Sequence, residues 1–241
     1  MILEGSLSVK AAMLAGRRKV TKLYVDRNKD DKDTAFILKT ASRRHIPVVR
    51  TGREEIDELA SGRTHGGIIA EAGERRLQTL RESFTDEKPF FVLAEGVEDP
   101  FNLGYMMRTL YSAGCTGLLL KARSWENADA TILKSSAGAS EYLNVIMSED
   151  LPKDLRWLKS RGVHLYAAMR KDAVVYTAAD YTGPVLLAVG GEMRGLSAGV
   201  RAEIEDNIFI PYANDFRAAL NAASATAVLA YEVVRQRREE L

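Results

Sequence analysis

Glu95-Gly-Val-Glu-Asp-Pro-Phe-Asn-Leu-Gly-Tyr-Met-Met-Arg-Thr-Leu-Tyr-Ser-Ala-Gly114 carries an apolar strand into a helix through a loop that holds Asp99, Pro100 and Asn102, and it sets Arg108 within that helix. The strand spans Phe90 to Val97 and the helix runs to Ala113. Working outward, Gly117 to Leu120 reads as a strand, Ala128 to Ser135 as a helix, Tyr142 to Met147 as a strand, Pro152 to Arg161 as a helix and His164 to Met169 as a strand. Strand Pro184 to Val189, a helix opening at Gly-Leu-Ser, strand Asn207 to Pro211 and a terminal helix through Ala222 to Arg238 complete the series. Such alternation predicts an α/β fold with a mainly parallel sheet covered by helices. In sheets of this kind ligands gather at the carboxyl ends of the strands.

Upstream, residues 1–72 predict a small α/β unit of their own. Val9, Ala12, Met13 and Leu14 follow a helical pattern, and Val20 to Val25 alternates as a strand. A second cycle follows: helix Thr34 to Arg44 with Ile37, Leu38 and Ala41 on one face, strand Ile46 to Arg50, helix Glu54 to Ala60 and strand Gly67 to Ala70. Residues 73–88 contain Glu74, Arg75, Arg76, Arg81, Glu82, Asp86 and Glu87, are too polar for a core and are expected to be a linker. That leaves 89–241 as the second domain.

With 46% hydrophobic residues, the 241-residue chain has enough apolar matter for real cores. Its 34 Lys and Arg nearly balance 33 Asp and Glu, so any nucleic-acid surface must be a local patch. The lone Cys115, among apolar residues, reads as a buried hydrophobe, and no disulfide can form within the chain. The start, Met-Ile-Leu-Glu-Gly, lacks the blocks of a secretion signal, and no apolar run approaches the ~20 residues of a membrane helix. A cytoplasmic protein without membrane contact is expected. Three scattered histidines do not predict a metal site.

Two further stretches follow strands in the same way: Gly190-Gly-Glu-Met-Arg-Gly-Leu-Ser197 and Ile210-Pro-Tyr-Ala-Asn-Asp-Phe-Arg-Ala-Ala-Leu-Asn-Ala-Ala223. Asn102, Glu192 and Asn221 are thereby expected in loops at one edge of the sheet, at or before the start of a helix. Arg108 lies about 9 Å further along its helix at ~1.5 Å per residue, and helical side chains lean back toward the amino end, so its guanidinium can approach the loop mouth. Each residue taken singly also has a structural reading. Asn102 and Asn221 could cap helices, Glu192 could sit at a helix N-terminus, and Arg108 could be solvated. Gly190, Gly191 and Gly195 permit positive φ and close backbone approach, as a ligand held by main-chain groups requires. No Lys-Ser or Lys-Thr follows them and no G-x-G-x-x-G follows the first strand, which removes the usual signatures of nucleoside triphosphates and dinucleotides.

The three stretches, in order and with their glycines, prolines and spacings, resemble the motifs of the SpoU (TrmH-like) RNA ribose methyltransferases, and Leu133-Lys-Ser-Ser-Ala-Gly-Ala139 is similar to that family's connecting segment. The resemblance implies a carboxyl-terminal trefoil-knot domain of the SPOUT superfamily, one of the rare exceptions to unthreaded chains. It implies S-adenosylmethionine bound at Gly190, Gly191, Ile210 and Leu220, largely through backbone, beside an active site of Asn102, Arg108, Glu192 and Asn221. The implied reaction moves a methyl group to a ribose 2'-hydroxyl of ribosomal or transfer RNA. A hydroxyl needs a base nearby as the bond forms. Family models give that role to the residue at Arg108, yet an arginine stays charged, so Arg108 suits positioning of phosphate and hydroxyl better and the base stays open.

Residues 1–72 resemble the family's L30e-like substrate-binding domain, which implies RNA contact by Arg17, Arg18, Lys19, Arg43 and Arg44. A homodimer through the carboxyl-terminal domain, with the site completed across the interface, is implied as well. One departure stands out: the third motif usually reads Ser-Leu-Asn-Val-Ser, whereas here it is Ala219-Leu-Asn-Ala-Ala223, with one extra residue after Ile210. A non-catalytic RNA-binding relative, and an unrelated α/β enzyme using Glu192 as acid or base, are the alternatives.

Overall fold

The computed structural model describes residues 1–125, 128–215 and 218–239; Phe216 and Arg217 of the third motif lie outside them. In chain order the elements are β1 (Ile2–Glu4), α1 (Ser6–Ala15), β2 (Val20–Asp26), α2 (Lys32–Arg43), β3 (Val48–Thr51), α3 (Arg53–Leu59), β4 (Ile68–Ala72) and α4 (Leu80–Ser83). Then come β5 (Phe90–Glu95), α5 (Pro100–Ser112), β6 (Gly117–Lys121), α6 (Asp129–Ser135), α7 (Ala139–Tyr142), β7 (Val145–Ser148) and α8 (Leu151–Lys159). The last are β8 (His164–Ala168), β9 (Ala173–Val175), a 3-10 turn at Tyr176–Ala178, β10 (Val185–Gly190), α9 (Ala198–Arg201), β11 (Asp206–Phe209) and α10 (Ala222–Glu239).

These elements form two units, Met1–Arg76 with Trp125–Tyr142, and Leu77–Ser124 with Leu143–Leu241. In the first, a four-stranded sheet runs β1-β4-β2-β3; β4 is antiparallel to β1 and β2, and β3 is parallel to β2. Leu3, Val9, Met13, Leu23 and Ile37 form its core, and Leu133 from the distant segment joins them at 1% exposure. Asp31 starts α2 by accepting from the Thr34 N–H at 2.8 Å.

Arg18 is withdrawn from water in this unit. Its guanidinium meets Glu141 at 2.7 Å and Asp129 at 2.9 Å, with both the Arg18 and Glu141 side chains fully buried. Burial opposes the Arg18 charge, but the hydrogen bonds and charge of Glu141, with Asp129, outweigh it and raise its pKa. Removing one partner of such a pair costs roughly 3–5 kcal/mol, because the other is left as an uncompensated buried charge.

In the second unit the sheet order is β7-β6-β5-β10-β8-β11-β9, and every pairing is parallel, as the alternation of elements predicts. Phe90 to Leu93 and Val185 to Ala188 are each buried to 1% exposure or less, as central strands covered on both faces require. On one face Leu155, Leu158, Leu165, Leu186 and Val200 pack together. α10 lies against α5 and β10, with Leu229 and Val233 buried. Among the described residues no helix is long and apolar enough to cross a membrane.

Three local expectations are changed by the structure. The stretch read as a polar linker contains α4, started by a capping box in which Thr79 and Glu82 satisfy each other's backbone N–H groups. That single turn puts Leu80 into the core at 6% exposure, with Phe84 packed on Phe91 and Trp157. Tyr142 ends a helix instead of opening a strand, because Ala137 and Gly138 turn the chain at φ 51° and 86°, and pairing begins only at Val145. β1 and β9, at three residues each, are too short for periodicity to reveal.

Cys115 is buried as expected, and burial pushes its thiol up to about 12. At pH 8 its thiolate fraction is on the order of a thousandfold below that of a free cysteine, and a thiol-reactive dye is expected to label the native protein slower by that factor than the denatured chain. Equal labelling rates would show that the connection between α5 and β6 opens readily.

Candidate active site

β5 and β10 lie side by side in register, with Glu95 opposite Gly190, so the loops that leave their carboxyl ends start together. Glu95 ties them twice. Its carbonyl accepts from the Gly191 N–H at 2.7 Å, and its carboxylate accepts from the Ser197 N–H at 2.7 Å. Ser197 in turn caps α9 by accepting from the Val200 N–H at 3.3 Å.

Between these anchors Gly191 and Gly195 pair as an isolated bridge, closed by a Gly195 N–H to Gly191 carbonyl bond of 2.9 Å. Glu192, Met193 and Arg194 occupy the exposed tip, and Met193 is 95% exposed. Only Gly195 of the three motif glycines adopts positive φ, at 59°. Gly190 and Gly191 are needed for a different reason. A Cβ on Gly191 would stand 2.0 Å from the Gly96 carbonyl oxygen, and one on Gly190 would stand 2.6 Å from the Gly195 carbonyl carbon. The close approach is therefore backbone against backbone.

The cap of α5 is Asp99, whose carboxylate accepts from the Asn102 N–H at 2.8 Å, with Pro100 in the first turn. Asn102 thus lies inside the helix rather than in the preceding loop, and its side chain is not the cap. It shares a cavity of about 330 Å³ with Glu98, Asp99, Gly191, Glu192 and Arg194. Asn221 does cap α10, accepting from the Ser224 N–H at 2.8 Å. It falls between Leu220 and Ala222, residues that line the cavities, but is not itself in either lining.

A second cavity, about 150 Å³, is lined by Gly190, Ile210, Leu220, Ala219 and the apolar side chains of Val189 and Leu229. Ala222 is common to both. The Leu220 N–H donates to the Tyr212 hydroxyl at 2.8 Å, and the Arg170 guanidinium lies 4.6 Å from the Tyr212 ring centre. Arg170, Phe209, Ile210 and Tyr212 also border an adjoining open cavity of about 530 Å³.

Of the residues expected to act together, the structure brings Asn102 and Glu192 to one cavity, with Gly191 at its wall, and Gly190, Ile210 and Leu220 to its neighbour. Arg108 is exposed on α5, outside both linings of its own chain. In the first unit Lys19, Arg43 and Arg44 are exposed, Arg44 also donating to the Met13 carbonyl, and the half-buried Arg17 donates to the Tyr142 carbonyl at 3.0 Å. Arg18, paired inside the unit, does not meet the expectation of an RNA contact. Sequence reading passed over Glu95, Arg170 and Tyr212; Glu95 and Arg170 end or follow strands at the carboxyl edge, which is the signal that marks them.

A parallel α/β sheet whose carboxyl edge carries two adjoining cavities, walled by glycine backbone and flanked by an Asn and a Glu, defines an α/β protein with a ligand site at its strand ends. The chain belongs to the SpoU rRNA methylase family, whose pattern it matches over residues 89–231, and residues 2–78 match the RNA 2'-O ribose methyltransferase substrate-binding domain. It is 29% identical over 240 residues to the 23S rRNA (guanosine-2'-O-)-methyltransferase RlmB of Pseudomonas aeruginosa, covering 97% of this chain and 95% of that protein. The SpoU methyltransferase AviRb of Streptomyces viridochromogenes superimposes with a TM-score of 0.84 at 23% identity, over 100% of this chain and 90% of that one. An AdoMet-bound rRNA methyltransferase from Sinorhizobium meliloti gives a TM-score of 0.81 at 25% identity, over 100% and 87%.

Proposed function

We infer that this protein transfers a methyl group from S-adenosylmethionine to a ribose 2'-hydroxyl of ribosomal RNA in the cytoplasm. The observation that carries the reading is the pair of adjoining cavities, one holding Asn102 and Glu192 and the other walled by Gly190, Ile210 and Leu220. The residues suit the cofactor: apolar faces of Val189, Ile208 and Leu229 can hold a flat base, and main-chain groups of Gly190, Ile210 and Leu220 can meet its polar edges. The adjoining cavity beside Arg170 and Tyr212 adds the room that the smaller one lacks.

When bound, the cofactor supplies an electrophilic methyl group on a positively charged sulfur. The chain's residues do the rest. Asn102 and the loop backbone orient the ribose, and Arg108, permanently charged, holds phosphate and hydroxyl. Of the carboxylates lining the cavity, Asp99 is engaged as a helix cap, which leaves Glu98 and Glu192 within the site to take up the hydroxyl proton.

Membership of the SpoU family supports a knotted carboxyl-terminal domain, and the match of residues 2–78 supports an RNA-binding first unit of L30e-like plan with Lys19, Arg43 and Arg44 at its surface. α5 supports a two-fold dimer: Phe101, Tyr105 and Tyr111 are about half exposed on it, at a spacing that also carries Arg108, and Tyr231 of α10 is exposed as well. In that assembly Arg108 would complete the partner's site.

Ala219 lines the cofactor cavity where the family has a hydroxyl, which is the observation that favours a binding protein without activity. Calorimetry and methyl transfer to ribosomal RNA separate the readings. Micromolar cofactor binding with methylation at a 2'-hydroxyl is expected. Cofactor binding without methylation would favour the inactive relative, and no binding at millimolar cofactor would end the methyltransferase reading.

A further inference from the structure

Leu133-Lys-Ser-Ser-Ala-Gly-Ala139 takes no part in either cavity. It belongs to the amino-terminal unit, although the chain enters its segment from β6 and leaves it for β7, both strands of the seven-stranded sheet. Leu133 sits in the core with Leu3, Val9 and Met13. Gly138, at φ 86°, passes so close to α1 that a Cβ would lie 2.5 Å from the Ala11 Cβ and 3.3 Å from the Leu7 carbonyl oxygen. Arg18 grips Glu141 through Nε at 3.0 and 3.1 Å and Nη2 at 2.7 Å, and holds Asp129 as well. Arg17 and Arg75 donate to the carbonyls of Tyr142 and Ser140.

A charge pair shut off from water is favourable only when both partners are in place, so it enforces one docked register instead of a loose association. The compact unit that holds the substrate-binding domain matched at residues 2–78 thus also takes in residues 125–142, which lie within the stretch 89–231 that matches the methylase family. We propose that Arg18 is a positioning residue: by gripping Glu141 and Asp129 it makes the segment between β6 and β7 an integral part of the RNA-binding unit. Chain connections at 76/77, 124/125 and 142/143 then join that unit to the methyl-transfer unit, in place of the single linker that the order of the motifs suggests. A first unit whose two chain segments keep one register presents one RNA-binding surface, so loosening the grip weakens RNA binding. This consequence rests on the methyltransferase reading above; the grip itself does not.

The test uses the full chain. In Arg18→Met, hydrogen exchange of the α6 and α7 amides is expected to rise at least tenfold, kcat/KM for RNA to fall at least tenfold chiefly through KM, and the Kd for S-adenosylmethionine to stay within twofold. Unchanged exchange and RNA kinetics would overturn the proposal, and so would a cofactor Kd that weakens in step with RNA, since that marks general damage. If Arg18→Met does not fold, Gly138→Ala decides: exchange should rise in α6 and α7, and Ala11→Gly in the same chain should reverse part of the rise by removing the methyl group it strikes. No rise in Gly138→Ala would overturn the proposal. Should the unaltered chain bind no S-adenosylmethionine, the functional reading falls while the exchange measurements still decide the grip.

Discussion

Gly191→Ala is expected to unfold the carboxyl-terminal unit, with a loss above about 4 kcal/mol, the range reserved for substitutions that break packing outright. The added methyl group would stand 2.0 Å from the Gly96 carbonyl oxygen and 2.5 Å from its carbon. Both atoms are backbone, in a loop whose preceding residue, Glu95, bonds the Gly191 and Ser197 N–H groups, so neither side has a flexible end that could yield. Gly96→Ala is the contrasting change. Gly96 adopts φ 75°, but its own Cβ would meet Gly191 at an ordinary 3.7 Å, so only the left-handed backbone cost of roughly 1–2 kcal/mol applies. Urea denaturation followed by tryptophan fluorescence should rank Gly191→Ala far below Gly96→Ala. Equal midpoints would mean that the two loops part without cost.

That contrast shows where the sequence is informative and where it is silent. The continuous apolar runs Phe90–Leu93 and Val185–Ala188 announce central parallel strands, because only a sheet covered on both faces buries residues without alternation. Local chemistry is legible too: Pro100 and the Asx start at Asp99 mark the beginning of α5, although which side chain caps it depends on geometry that spacing alone leaves open. The reason for Gly190 and Gly191 is not legible. Glycine is read most easily as freedom of φ, yet here Gly191 answers to Gly96, about a hundred residues away in sequence, and Gly190 to the turn back at Gly195, and such close approaches leave no periodic trace.

Charge is the least legible feature. Arg17-Arg-Lys19 reads as a basic run, which ordinarily means solvated surface or a phosphate contact. Burial of Arg18 is decided by Glu141 and Asp129, whose carboxylates arrive from beyond β6. In residues 73–88 the density of charge hides Leu80 and Phe84, two side chains whose packing makes an apparent tether part of the fold. Net composition averages such pairs away, so formal charge near zero conveys neither the buried grip nor the exposed cations.

Arg108→Ala is expected to lower methyl transfer by a factor on the order of 10² to 10⁴, the usual worth of a positioned charged or proton-transferring group, while S-adenosylmethionine binding stays within twofold. The split follows from where the residue lies: exposed on α5, outside the cavity of Gly190, Ile210 and Leu220 that is assigned to the cofactor. The same position gives a sharper expectation. If Arg108 serves the partner's site, mixing Arg108→Ala with Glu192→Ala chains after subunit exchange produces mixed dimers in which one site keeps both an intact Arg108 and an intact Glu192. A one-to-one mixture should then recover about a quarter of the unaltered activity, since half the dimers are mixed and each has one working site of two. Arg108 acting within its own chain predicts no recovery at all, because every site in the mixed dimer would lack one of the two groups. Phe101, Tyr105 and Tyr111 surround Arg108 with exposed rings on the same helix, which is why recovery is the expected result.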